Sequence, residues 1–159
     1  KNKKTKKMYM LKNNFIILLI VLIFSQTSFV NSKEKFLSLK KSKVNVRYGP
    51  SFDSPVKYIY KKKDFPIKLI DKKENFRRII DHKKNSGWIH VSQLKKINSV
   101  IVLEDKIMFK KSIIFSKPIA KIKKGRLLVV QKCENDWCKV VTEGFKGWVD
   151  KSDLWGAVN

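Results

Sequence analysis

Several residue types are scarce in this 159-residue chain: two cysteines, two histidines, six glycines and four prolines. So few glycines and prolines exclude a collagen-like or low-complexity chain. Two cysteines are too few to hold together a disulfide-dense miniprotein. Two histidines, His82 and His90, leave little material for a metal enzyme, and a cysteine-based zinc site lacks further ligands. Acidic residues are also scarce, 13 against 37 Lys and Arg, giving a formal charge of +24. No stretch repeats apolar residues at helical spacing for three turns, and no glycine-rich phosphate loop occurs. No Ser, Cys or Lys sits in a recognisable nucleophile constellation, so no catalytic residues are assigned and the chain is read as a non-enzyme. No cofactor or metal is expected.

What the chain has begins with an address. Residues 1–12 hold six lysines and no acid, and ten uninterrupted apolar residues follow, Phe15–Phe24. Small and polar residues close the segment at Ser32. A basic stretch, a short apolar run and a small-residue exit make the pattern of a secretory signal peptide. Ten helical residues rise about 15 Å, roughly half of the ~30 Å hydrocarbon core, too short for a stable span. We therefore expect a signal helix over 1–32 with cleavage after Ser32, and an exported protein, periplasmic or secreted. The alternative is an uncleaved N-terminal membrane anchor. Without the six leading lysines, 31 basic and 13 acidic residues leave a net charge of +18.

Beyond a short linker at 33–42, the chain is built from brief runs rich in Val, Ile, Phe and Tyr. They are Val44–Val46, Val56–Tyr60, Ile67–Ile70, Phe76–Ile80 and Trp88–Val91. Then come Val100–Leu103, Met108–Phe109, Ile119–Ile122, Leu127–Val130, Trp137–Val141 and Trp148–Val149. Charged and turn residues bound them, which argues an all-β protein. The runs also repeat. Pro55-Val56 matches Pro118-Ile119, Asn75-Phe76 matches Asp136-Trp137, and Gly87-Trp88-Ile89 matches Gly147-Trp148-Val149, at offsets of 63, 61 and 60. Small drifts in offset place indels in loops, where they are tolerated. Two small β-barrels are expected, 43–97 and a divergent 98–156, each near the lower size limit for folding alone and leaning on the other.

The stretch Val44-Asn45-Val46-Arg47-Tyr48-Gly49-Pro50-Ser51 resembles the opening motif of bacterial Src-homology-3-like domains. Gly87-Trp88-Ile89 resembles that family's Gly-Trp-Val strand. The second copy is similar to the divergent partner found in tandem pairs of secreted proteins, although Lys106–Ser112 lacks the opening motif. The resemblance implies a tandem pair of Src-homology-3-like barrels, and a non-catalytic binding module of the cell envelope directed at cell-wall peptide or a protein partner.

Arg47, Tyr48, Pro50, Phe52, Tyr58 and Trp88 are the candidate ligand-binding residues. Arg47 is able to fork onto a ligand carboxylate, or to tie its own loop down on an acid of its domain. Tyr48, Phe52, Tyr58 and Tyr60 offer flat faces with polar rims, as grooves for extended peptides do. Tyr58 and Tyr60 share one strand face and equally suit the core. Trp88 and Trp148 follow glycines in strands and either fill the core or floor a groove. His82 reads as a solvated turn residue and His90 as a strand surface residue. Cys133 and Cys138 bracket a hairpin turn, stand opposite each other, and in an oxidising compartment form a disulfide.

The charge has two readings. Dense lysine attracts polyanions or anionic membrane surfaces. It also follows from composition, since lysines occupy every turn instead of one stripe and protect edge strands and solubility. No specific nucleic-acid partner is expected, and the protein reads as a monomer.

Overall fold

The computed structural model describes residues 35–156; the expected signal helix lies outside them. The described residues belong to one compact unit, and its regular structure is β apart from one 3-10 turn, Val91–Gln93.

Among the described residues, fourteen strands form two antiparallel sheets of seven. The first sheet holds β1 (Phe36–Leu39), β2 (Val44–Arg47), β3 (Val56–Tyr60), β4 (Pro66–Lys73), β5 (Phe76–Ile80), β6 (Ser86–His90) and β7 (Leu94–Lys96). The second holds β8 (Ser99–Val102), β9 (Lys106–Phe109), β10 (Pro118–Ile122), β11 (Leu127–Glu134), β12 (Trp137–Thr142), β13 (Phe145–Asp150) and β14 (Leu154–Trp155). Strand orders are β3-β2-β6-β5-β4-β1-β7 and β10-β9-β13-β12-β11-β8-β14, the same order shifted by seven strands. The repeat is therefore a repeat of topology as well as of sequence.

One expectation is corrected here. The supposed linker 33–42 contains β1, which pairs with both β4 and β7 and is the counterpart of β8. Its four residues, Phe36-Leu37-Ser38-Leu39, are too short a run to stand out between flanking lysines. Leu39 is nonetheless fully buried.

Alternation sets the inside and outside of each sheet. In β2, Val44 and Val46 enter a core with Leu39, Ile67, Ile79 and Ile89, and Asn45 and Arg47 face outward. The second core joins Val100, Val102, Met108, Leu128, Val140 and Val149. Corresponding bulges at Leu69/Asp71 in β4 and Val130/Lys132 in β11 bend the two longest strands. Glycine is demanded where β6 crosses β2. A Cβ on Gly87 would lie 2.4 Å from Val46 Cγ1, and one on Gly147 would lie 2.5 Å from Met108 Cγ. The glycine of each Gly-Trp pair thus lets two strands pass in contact.

The repeats meet through buried polar groups. Ser38 Oγ and Ser99 Oγ, on equivalent strands, are 3.0 Å apart, and the Ser99 hydroxyl also donates to the Asp64 carbonyl. Trp155 packs edge-on against Phe36 of the first repeat, with ring centroids 5.3 Å apart.

Candidate functional site

The loop between β2 and β3, Tyr48–Pro55, carries most of the candidate residues. Its ends are pinned by Tyr48 N donating to the Pro55 carbonyl at 3.2 Å. Arg47 donates from Nη1 to the Ser54 carbonyl at 2.6 Å, and its guanidinium lies 5.7 Å from the centre of the Phe52 ring. The arginine thus holds the loop through a backbone carbonyl and a ring face.

That anchoring folds Phe52 back over the outer face of the sheet. Its ring meets Phe76 at 5.2 Å and His90 at 4.9 Å, and Phe76 and His90 meet at 5.2 Å. Phe76 and His90 are paired neighbours on β5 and β6. Phe76 faces away from the core yet is only 6% exposed, because Phe52 and His90 cover it. The result is a groove of about 570 Å³ between two walls. One wall is the loop Pro50-Ser51-Phe52-Asp53; the other is the β4–β5 hairpin Lys73-Glu74-Asn75-Phe76; His90 sits between them.

The polar groups of the groove are placed by local turns. Asp53 Oδ2 accepts from the Ser51 hydroxyl at 3.1 Å, and the Asp53 N–H donates to the same hydroxyl oxygen. Glu74 occupies the hairpin turn at a φ of 47°, which projects it beside the groove. His90 Nδ1 accepts from the Ser92 N–H, so a neutral ring carries its proton on Nε2. Two carboxylates, one ammonium and an aromatic floor suit an extended chain bearing amines and carbonyls.

The six candidate residues do not converge on one place. Pro50 and Phe52 line the groove wall, and Arg47 anchors the loop that carries them. Tyr48, 66% exposed, turns to the other side of the loop, where Lys57 Nζ lies 5.5 Å from its ring centre. Trp88 is half-buried on the outer face, cross-strand from Arg47 and Arg78. Tyr58 is remote. It packs on the first core and edge-on against Tyr60, with ring centroids 5.3 Å apart. Tyr60 donates to Asp81 at 3.0 Å, and burial with these neighbours pushes its phenol far above the ordinary tyrosine value. Asp81 is buried and also accepts from the N–H groups of Lys83 and Asn85, so this cluster closes the β5–β6 turn. His82 lies against Phe65, and desolvation lowers its pKa.

Sequence reasoning did not point to Asp53, Lys73, Glu74, Phe76 and His90 as groove residues. The available signal was the spacing itself: Phe76 and His90 are adjacent once β5 and β6 pair, and Phe52 is the one aromatic in a loop able to reach them.

The second repeat uses the same positions differently. Trp137, the counterpart of Phe76, meets Phe109 edge-on at 5.8 Å. Trp148 is 8% exposed and flanked by Lys132 and Lys139, whose ammonium groups lie 5.5 and 5.8 Å from its ring centre. Cys133 and Cys138 are directly cross-strand and form a disulfide with Cα atoms 4.0 Å apart.

The profile of the bacterial SH3 domain matches residues 40–96 and again 116–156. The chain belongs to the bacterial SH3 domain family. Its two SH3 repeats correspond to the two seven-stranded sheets. No curated protein matches the chain. Among solved structures, NlpC2 from Trichomonas vaginalis is similar at 10% identity and a TM-score of 0.37, over 79% of this chain and 49% of that one. NlpC1 from the same organism has the same identity and TM-score, over 80% and 47% of the two chains. An NlpC/P60 family protein from Bacillus cereus ATCC 10987 is 12% identical with a TM-score of 0.37, over 76% and 55%. The SH3 chain spans about half the length of these proteins.

Proposed function

We propose that this SH3 protein is a non-catalytic binding module of the cell envelope whose first repeat holds an extended, amine-bearing peptide. The occupant is cell-wall peptide or a segment of an envelope protein. The observation that carries the reading is the groove between Pro50–Asp53 and Lys73–Phe76. It has an aromatic floor, and it gathers two carboxylates in a chain that has only 13 acidic residues. A peptide amine would be drawn to Asp53 and Glu74, its carbonyls to Lys73, and its apolar groups to Phe52. Export rests on the N-terminal segment 1–32, and no reaction is assigned.

The test is retention of the protein on purified sacculi at about 1 M salt, where the Debye length is about 3 Å and purely charge-driven binding is lost. We expect retention to persist there, and to fall in the double variant Asp53→Asn/Glu74→Gln and in Phe52→Ala. A protein that is not retained, or whose retention collapses with salt and ignores these changes, would contradict the reading. The second outcome would instead favour polyanion binding by the lysines.

A further inference from the structure

The two repeats present different loops at the same place in the topology. In the first, Phe52 folds back onto Phe76 and His90. In the second, the loop between β9 and β10 reads Lys110-Lys111-Ser112-Ile113-Ile114-Phe115-Ser116-Lys117. Its apolar residues turn outward. Ile113 is 55% exposed, Ile114 64% and Phe115 95%. The family profile resumes only at residue 116, so this tip lies outside the matched segment.

The loop is held in shape despite its exposure. Lys110 N donates to the Lys117 carbonyl at 2.9 Å, Ser116 N to the Ile113 carbonyl at 3.1 Å, and Lys111 N to Ser116 Oγ at 2.9 Å. Three backbone donors are thereby satisfied within the loop, which lowers the cost of leaving water. The ammonium groups of Lys110, Lys111 and Lys117 make no ion pair or hydrogen bond among the described residues.

We propose that this loop is a membrane wedge: Ile113, Ile114 and Phe115 enter the interfacial zone of an anionic bilayer, and Lys110, Lys111 and Lys117 meet its phosphates. Charge complementarity selects the occupant, since three unpaired cations flank the apolar tip along the chain and an anionic headgroup layer overlies an apolar interior in the same order. Long lysine stems lie along the apolar layer while their ends reach the phosphates. A convex tip of three side chains is far smaller than the roughly 800 Å² per partner of a stable protein interface. Each lysine near such a surface strengthens partition about fivefold, and burying Ile114 or Phe115 adds on the order of tenfold each. This inference is independent of the peptide groove.

The test uses the full chain with a Ser112→Cys probe carrying an environment-sensitive dye. Cys133 and Cys138 are disulfide-bonded, so the new thiol alone is labelled. Reading the loop directly keeps the N-terminal segment from masking the result. With phosphatidylglycerol–phosphatidylcholine vesicles we expect a blue shift and quenching by nitroxide placed near the headgroups. Pure phosphatidylcholine vesicles should give neither. Ile114→Ser/Phe115→Ser should abolish the shift, and Lys110→Gln/Lys111→Gln/Lys117→Gln should weaken it about hundredfold in lipid concentration. A dye that stays in water while the protein is vesicle-bound would overturn the proposal. So would a shift that survives removal of both apolar side chains, or one that is equal in neutral vesicles.

Discussion

Lys106 offers a stringent check on the energetics of the second repeat. Its side chain is 5% exposed, and Nζ lies 2.7 Å from Asp150 Oδ1 and 2.9 Å from Ser152 Oγ. The Asp150 side chain, by contrast, is 41% exposed. Removing one partner of a buried pair costs about 3–5 kcal/mol because the other charge is left uncompensated. Here water reaches the acid, so we expect Asp150→Asn to lose about 2–3 kcal/mol, after discounting for that screening. Lys106→Met should lose about 1 kcal/mol or less, because Asp150 relaxes into solvent and the methionine fills the same volume. The pH dependence has a definite sign. Partial burial raises the Asp150 carboxyl, but the hydrogen bonds from Lys106 and Ser152 and the lysine charge more than reverse this, so its pKa falls below 3.8. A depressed carboxyl stabilises the fold above its unfolded value, and the stabilisation disappears as pH falls through the folded one. The gap between wild type and Asp150→Asn should therefore be flat from about pH 5 to 8 and close below about 3.8. Urea unfolding, with amide exchange at Val140 and Val149 to localise the loss, measures it. Equal losses for the two variants, or a gap unchanged far into acid, would refute the argument.

Other expectations follow from single contacts. Gly87→Ala and Gly147→Ala should each destabilise their own repeat by about 1–3 kcal/mol, read by thermal unfolding, because the added methyl meets Val46 or Met108 on the crossing strand. Reduction of Cys133–Cys138 should lower stability by about 2 kcal/mol, the loop being only a hairpin turn, with exchange rising in β11 and β12 before β4 and β5. Tyr60→Phe removes one of several donors to buried Asp81 and should lose about 1 kcal/mol without affecting retention on sacculi.

The strands were readable because each buries one face against a small core, which forces apolar side chains into alternation or short runs. Val56–Tyr60 and Phe76–Ile80 emerge at the bounds expected. β1 escaped because its stabilisation lies in pairing with β4 and β7, strands far along the chain, and not in a long apolar run. The groove was only half readable, for a related reason. Arg47 and Pro50 stand in a recognisable motif, and Phe52 follows it within the same loop. Their partners Phe76 and His90 join them through strand pairing, and Asp53 and Glu74 are placed by turns that composition leaves undistinguished from other charged turns.

The same separation between strand and loop explains how one fold could diverge twice within a single chain. The core positions and the close glycine crossings are shared by both repeats, since moving any of them meets backbone or a packed side chain at once. The β2–β3 and β9–β10 loops carry no such constraint beyond their pinned ends. In the first, an arginine and two rings draw the loop onto its sheet and leave a groove. In the second, Met108 and Phe109 stand where Val46 and Arg47 would be, so no guanidinium holds the loop down, and Trp137 takes Phe109 as its partner. Phe115 then has no ring to cover and turns to solvent. Installing Arg at Phe109 should not by itself return the loop to the sheet, because Trp137 would lose its edge contact at the same time. Paired substitution of Phe109→Arg with Trp137→Phe supplies the guanidinium and one of the two rings of the first repeat, Asp150 standing where His90 would be, and protection of Phe115 from solvent, measured by side-chain NMR, should rise only in the pair.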